Sequence, residues 1–113
     1  MNSDCIFCKI AAGEVRVSPV FENDEFIAFR DTNPQAPIHV LLIPRSHFDT
    51  LLDVTDAGFL GRALGAVQMT AVALNLQTEG FRTVINTRDN GGQTVYHLHF
   101  HILGGRFMQW PPG

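Results

Sequence analysis

Basic residues are scarce in this chain of 113 residues, which holds a single lysine, Lys9, and carries a net charge of −3. That balance argues against a protein that coats nucleic acid by bulk electrostatics, so any anionic ligand must be held locally. No apolar run is long enough to span a membrane. The opening Met1-Asn2-Ser3-Asp4 has no basic character, so the expectation is a cytoplasmic protein without a secretion signal. Repeats, low-complexity tracts and charge blocks are absent, and the scattered glycines and prolines mark no linker, which points to one domain over residues 1–113. Cysteine is rare too. Cys5 and Cys8 are the only two, and their two-residue spacer in a reducing compartment suggests metal or redox chemistry more than a disulfide.

What is present is enough for one core: 45% of the residues are hydrophobic and 17% charged, a balance too apolar for disorder. At this length folding buries roughly 65% of the unfolded surface, and dimerisation would help. Asp4 is placed to cap a short helix over Cys5 to Ala12, with Ile6, Phe7 and Ile10 inward and Gly13 at its end. Val20-Phe21 and Phe26 to Phe29 read as strands joined through Asn23-Asp24. Asn33-Pro34-Gln35-Ala36-Pro37 must be a shaped loop, because proline lacks an amide donor and restricts its predecessor. Ile38 to Ile43 reads as a buried strand stopped by Pro44. After Thr55, a good N-cap, the spacing of Leu60, Leu64, Val67, Ala71 and Leu74 predicts the main amphipathic helix. Gly80 closes that region. Phe81 to Asn86 reads as a strand, Asp89-Asn90-Gly91-Gly92 as a flexible loop, and about Tyr96 to Leu103 as the last strand. Five strands with few helices between them predict an α+β fold around an antiparallel sheet.

The chemistry concentrates in Tyr96-His97-Leu98-His99-Phe100-His101-Ile102-Leu103. Strand alternation sets His97, His99 and His101 on one face and Leu98, Phe100 and Ile102 on the other. Neighbouring imidazoles would lie about 6 to 7 Å apart, close enough for one ring to attack a centre while the next hydrogen-bonds an oxygen of the same group. Zinc is a second possibility, since His-x-His on a strand makes a good ligand pair. Upstream, the two glycines of Asn90-Gly91-Gly92-Gln93-Thr94 allow close backbone approach and expose amides suited to phosphate.

The run from Gly91 to Gly105 closely resembles the signature of the histidine-triad (HIT) family, and Trp110-Pro111-Pro112-Gly113 resembles the terminus of its Hint branch. Ile6-Phe7-Cys8-Lys9-Ile10 and the stretch from Phe29 to His39 agree, so only the helix from Asp56 to Leu76 is generic. The resemblance implies a homodimer whose two sheets join into one, with a purine nucleoside 5′-monophosphate site (AMP or GMP) in each subunit. It implies hydrolysis of phosphoramidates or aminoacyl-adenylates through a nucleotidyl-histidine intermediate, with no cofactor required. His99 would be the nucleophile. His101, Gly92 and the amides around Gln93 and Thr94 would bind phosphoryl oxygens, and Thr94 would assist the leaving amine. His39 would hold His97 or His99 in the right tautomer. Asp31 would accept the ribose hydroxyls, Phe29, Thr32 and Ile10 or Phe7 would flank the base, Asn86 would line the phosphate end, and Trp110 would cover the partner subunit's site or anchor the tail.

Other members of the family with Cys-x-x-Cys hold a structural zinc, which here would use Cys5, Cys8, His47 and His97. Three other readings stand beside the phosphoramidase: a dinucleoside polyphosphate hydrolase of a sister branch, a catalytic zinc enzyme built on the triad, and a nucleotide-binding interaction module. The terminal Trp-Pro-Pro-Gly speaks against the first of these.

Overall fold

The computed structural model describes residues 4–113; the opening residues 1–3, read above as lacking a leader, lie outside it. The chain forms one five-stranded sheet in the order β1-β2-β3-β5-β4, with every pairing antiparallel. The strands are β1 (Phe21–Glu22), β2 (Phe26–Arg30), β3 (Ile38–Pro44), β4 (Arg82–Val84) and β5 (Phe100–Gly104). The helices are α1 (Ile6–Ala11), α2 (Ala57–Ala73) and α3 (Arg88–Gly91), with a 3₁₀ turn at Leu51–Asp53. None of these helices is long and apolar enough to cross a membrane. This is the α+β architecture expected from the sequence.

Both faces of the central strands are covered, which is why β2 and β3 read as nearly continuous apolar runs instead of alternating ones. On one face Phe26, Ala28, Val40, Leu42, Phe100 and Ile102 pack against α2. On the other, Ile27, Phe29, Leu41 and Ile43 pack against Phe7, Cys8 and Ile10 of α1. The β1–β2 hairpin turns on Asn23, whose Oδ1 accepts from the amides of Glu25 and Phe26 at 3.0 and 2.8 Å.

Several boundaries differ from the sequence expectation, each for an identifiable reason. Cys5, not Asp4, caps α1, and its Sγ accepts from the Cys8 amide at 3.3 Å. Ile6 faces outward, because the buried side of so short a helix holds only Phe7, Cys8 and Ile10. Asp56 replaces Thr55 as the cap of α2, its Oδ1 accepting from the Gly58 amide at 2.9 Å. The buried face of α2 is also rotated from the expected one. Phe59, Ala63, Ala66, Val67, Thr70 and Ala71 face the sheet, while Leu64 is 54% exposed. Small side chains at 63 and 66 let the helix lie close to the sheet, and close packing outweighs the extra apolar area that the leucines offer. α2 ends at Asn75, which takes a left-handed φ of 58°, a conformation asparagine tolerates, so Gly80 is not its terminator. The supposed flexible loop at 89–92 is the helical turn α3, closed by Gly92 at φ 75°. Strand β4 is confined to Arg82–Val84, shorter than Phe81 to Asn86.

The most consequential difference is in the last strand, which begins at Phe100 and not at Tyr96. The β3–β5 register sets Leu42 opposite Phe100, so two more pairs would oppose Ile43 to His99 and Pro44 to Leu98. Proline has no N–H to extend the ladder, and Val95 to His97 bend away from it. Leu98 instead donates to the Phe48 carbonyl at 2.6 Å. The apolar alternation of Leu98, Phe100 and Ile102 survives, while the histidine face divides.

Candidate active site and metal cluster

His99 and His101 line a cavity of about 470 Å³ between α1 and the ends of β2, β3 and β5. Phe7, Ile10, Phe29 and Leu41 form its apolar wall, and Asp31, Thr32 and Thr94 its polar one. Phe7 packs edge-on against both Phe29 and His99, with ring centroids 5.8 and 5.2 Å apart. Such T-shaped contacts fix the aromatic wall against the histidine ring.

Hydrogen-bond partners assign the protons. A carbonyl only accepts, so the 2.8 Å contact of His99 Nδ1 with the His97 carbonyl puts the His99 proton on Nδ1 and leaves Nε2 with a free lone pair. His39 Nδ1 accepts from the Gln35 amide at 3.0 Å, so neutral His39 carries its proton on Nε2. That Nε2–H donates to His101 Nδ1 at 2.9 Å, which places the His101 proton on Nε2. Among the described residues this buried N–H has no partner. An unmet donor beside a free lone pair on the same cavity is an arrangement that awaits an acceptor-bearing ligand. Burial lowers the pKa of both rings from the ordinary histidine value, His99 by loss of solvation first and His101 by the same cause down to about 4. Both are therefore neutral at pH 7.

His97 leaves this group. Its ring is wholly buried, and its Nε2–H donates to the Pro44 carbonyl at 2.8 Å. Nδ1 is consequently unprotonated and lies 3.3 Å from Cys5 Sγ and 3.5 Å from Cys8 Sγ. His47 mirrors it: Nε2–H donates to Asp49 Oδ1 at 2.7 Å, and Nδ1 lies 3.2 Å from Cys8 Sγ. The two bare Nδ1 atoms are 3.1 Å apart, a repulsive pair of lone pairs unless a cation sits between them. The donor set is two sulfurs and two imidazoles, all within 4.8 Å of one another. Ligand bonds of about 2.0 to 2.3 Å in a tetrahedron separate ligand atoms by roughly 3.3 to 3.8 Å. The spacing fits zinc, and the hydrogen bonds to Pro44 and Asp49 are the outer contacts that orient metal-binding imidazoles.

The structure thus gathers Phe7, Ile10, Phe29, Asp31, Thr32, Thr94, His99 and His101 around one cavity, and Cys5, Cys8, His47 and His97 into a separate cluster. His39 stands behind His101 and not behind His97 or His99, as the β3 register opposes His39 to Leu103, next to His101. One Asp31 oxygen accepts from the Asn33 amide at 2.8 Å, and the other lies 3.5 Å from His39 Nε2. Asn86 and Gly92 are not among the residues lining the cavity. The side chain of Gln93 is occupied elsewhere: Nε2 donates to the carbonyls of Asp49 and Val95, and Oε1 accepts from the Arg88 amide. Trp110 is 80% exposed beside Arg82 of β4, at the far edge of the sheet. Asp49 and the Gln35 amide escaped the sequence reading, since neither carries a motif of its own. Val15, Arg16 and Val17, which also line the cavity, alternate as a short extended segment would and could have been suspected.

Known proteins match this chain over most of its length. The family model described as HIT domain matches residues 12–108. A HIT-like protein of Synechococcus elongatus is 50% identical, with all of both chains covered. Adenylylsulfatase HINT1 of Arabidopsis thaliana is 45% identical over 99% of this chain and 78% of its own. The crystal structure of a HIT family hydrolase from Legionella pneumophila superposes with a TM-score of 0.91 at 49% identity, covering 96% of this chain and 99% of that one.

Two outcomes are expected from this geometry. Adding one equivalent of zinc to metal-free protein should raise the melting temperature by roughly 5 °C or more, and Cys8→Ser should lose that response; an unchanged melting curve would refute the zinc assignment. Secondly, unfolded His101 titrates near the ordinary 6.5 and the folded ring near 4, so the unfolded chain binds more protons between those values. Stability present above pH 6.5 is then lost as pH falls toward 4. Denaturant midpoints should drop further for wild type than for His101→Asn over that window, and parallel curves would exclude the shifted ring as the cause.

Proposed function

The chain belongs to the HIT-domain family, and on that premise we propose that it is a hydrolase of purine nucleoside 5′-phosphoramidates or aminoacyl-adenylates. One observation carries the reading: the His97 carbonyl holds the His99 proton on Nδ1, so the neutral ring keeps Nε2 as a nucleophile, with the unpartnered His101 Nε2–H nearby. In this mechanism Nε2 of His99 attacks the α-phosphorus, and the P–N bond of a phosphoramidate, or the P–O bond to the aminoacyl carboxylate of an aminoacyl-adenylate, breaks. The amine with a proton, or the carboxylate, departs and leaves a nucleotidyl group on His99. Water then displaces the histidine and releases the nucleoside 5′-monophosphate. Two moderate steps replace one difficult displacement. His101 donates to a phosphoryl oxygen, where charge grows in the transition state. Thr94 lies on the same wall and serves the leaving group. Asp31 accepts a ribose hydroxyl, and Phe7, Ile10 and Phe29 enclose the base.

Zinc, when bound by Cys5, Cys8, His47 and His97, supplies a structural cross-link between α1 and the segments around His47 and His97. The thiols suit the reducing cytoplasm. An adenylyl sulfate substrate is the second reading, favoured by the similarity to the Arabidopsis adenylylsulfatase. The same nucleophile would serve, with sulfate leaving in place of an amine.

We also read the chain as a homodimer. β4 ends the sheet, and Leu64, Met69 and Val72 stand about half exposed on α2 while Phe107 and Trp110 are more than three-quarters exposed. An open strand edge beside the exposed Trp110, together with the exposed apolar groups on α2, favours pairing with a second copy, and joining two sheets at β4 would cover that edge.

Quenching a reaction with adenosine 5′-phosphoramidate labelled in the phosphate under alkaline denaturing conditions, in which a phosphorus–imidazole bond survives, should retain label on wild type. His99→Ala should retain none and lose roughly a thousandfold or more in turnover. Comparable turnover by His99→Ala would sink the mechanism, and labelling from adenylyl sulfate alone would select the second reading. In sedimentation velocity, wild type should run as a dimer and Met69→Glu/Val72→Glu as a monomer; a monomeric wild type would remove the dimer.

A further inference from the structure

The Pro34-Gln35-Ala36-Pro37 segment is placed by more than its own turn. Its two prolines supply no amides, so the loop cannot be tied down as a strand. From outside, it is gripped by the segment that follows β5. Arg106 Nη2 donates to the Gln35 carbonyl at 3.0 Å, while Nη1 donates to the Phe107 carbonyl at 3.1 Å. Gly105, at φ 88°, presses its backbone so close to the loop that a Cβ there would lie 2.9 Å from Pro37 Cβ. The grip leaves the Gln35 amide aimed at His39 Nδ1 at 3.0 Å.

That amide decides which way the protons run. If His39 Nδ1 accepts, Nε2–H must donate to His101 Nδ1, and His101 must present Nε2–H to the cavity. Were the amide withdrawn, the opposite order would also satisfy the 2.9 Å contact, with His101 Nδ1–H donating to His39 Nε2, and the Asp31 oxygen 3.5 Å from that nitrogen would alone be left to favour the original one. His101 would then turn a lone pair toward the cavity, and an anionic oxygen would meet repulsion instead of a donor.

We propose that Arg106 is a positioning residue, which fixes the proton of His101 on the cavity side by way of the Gln35 backbone and the His39 ring. The chain runs from a guanidinium at the surface through four groups to the cavity, with each contact at or below 3.0 Å apart from its link through the Gln35 residue itself. Its functional consequence rests on the reading of His101 as the phosphoryl donor. The proton arrangement itself does not.

Two-bond ¹H–¹⁵N correlation spectra of histidine-labelled protein report ring tautomers directly. Wild type should show both His39 and His101 as Nε2–H rings. Arg106→Met, with its exposed side chain and retained apolar stem, should show His101 shifted toward Nδ1–H, and Arg106→Lys should restore the wild-type pattern in part. Gln35→Pro, which deletes the amide, should shift it further, with Gln35→Ala as the matched variant that keeps the amide and the tautomer. Circular dichroism checks that each folds, and Arg106→Met decides if Gln35→Pro does not. Affinity for a purine nucleoside 5′-monophosphate should fall about tenfold in Arg106→Met, with affinity for the phosphate-free nucleoside unchanged. Wild-type tautomers in Arg106→Met would overturn the proposal. Shifted tautomers with equal losses for nucleotide and nucleoside would uphold the positioning role and overturn His101 as the phosphoryl donor.

Discussion

The burial of the His97 ring against Pro44 constrains both centres of this molecule. An imidazole taken wholly out of water must have its nitrogens met, and the Pro44 carbonyl meets Nε2 at 2.8 Å. The other nitrogen is thereby committed as an acceptor facing Cys5 and Cys8. At the same residue the backbone carbonyl accepts from His99. One residue therefore gives its ring to the thiols and its carbonyl to His99, so the thiol cluster and the tautomer of His99 are joined through a single residue. Pro44 acts twice as well: its missing N–H stops the β3–β5 ladder, and its carbonyl captures the ring that the broken ladder frees.

The two-faced sheet makes this arrangement possible. α2 covers one face with small residues at Ala63 and Ala66, both fully buried, so the helix approaches closely and that face is sealed. Among the described residues the opposite face carries the short α1, the segment at Val15 and Val17, and Val95, too little to cover it. The uncovered remainder is the cavity. It lies where β2, β3 and β5 end, and it is bounded by Phe7 on one side and the His99 and His101 rings on the other. The site is thus the part of the second face that a six-residue helix cannot fill.

Much of this was legible in the sequence, though not by one kind of signal. Apolar runs in β2 and β3 and the alternation of Leu98, Phe100 and Ile102 reflect burial, which is read directly from residue type. The grouping of Cys5 and Cys8 with His47 and His97 was reachable through family resemblance, because the spacing from 47 to 97 carries no local pattern. Strand period alone placed His97 beside His99 and His101, and it failed because the length of a strand depends on its partner: Pro44 lies more than fifty residues upstream of the position it truncates. The same non-locality hid the true partner of His39, which the cross-strand register decides. For α2 the spacing of leucines was misleading because shape, and not only hydrophobicity, selects which face meets a sheet.

The depressed pKa of His101 limits what that ring can do in the chemistry. A group with a pKa of about 4 is charged in only about one molecule in a thousand at pH 7. It can donate its Nε2–H as a neutral hydrogen bond throughout the cycle, yet it cannot deliver a proton to a departing amine with any frequency. On the proposed mechanism His99 would use its single free nitrogen to hold phosphorus, and so would not deliver one during the first step either. Proton supply to a departing amine would then pass through the Thr94 hydroxyl or solvent at the open side of the cavity, where Thr94 is exposed. A division follows in which buried rings bind and attack while the exposed wall handles the leaving group. On the proposed mechanism this separation would let one nucleophile serve leaving groups as different as an amine, which needs a proton, and a sulfate, which does not.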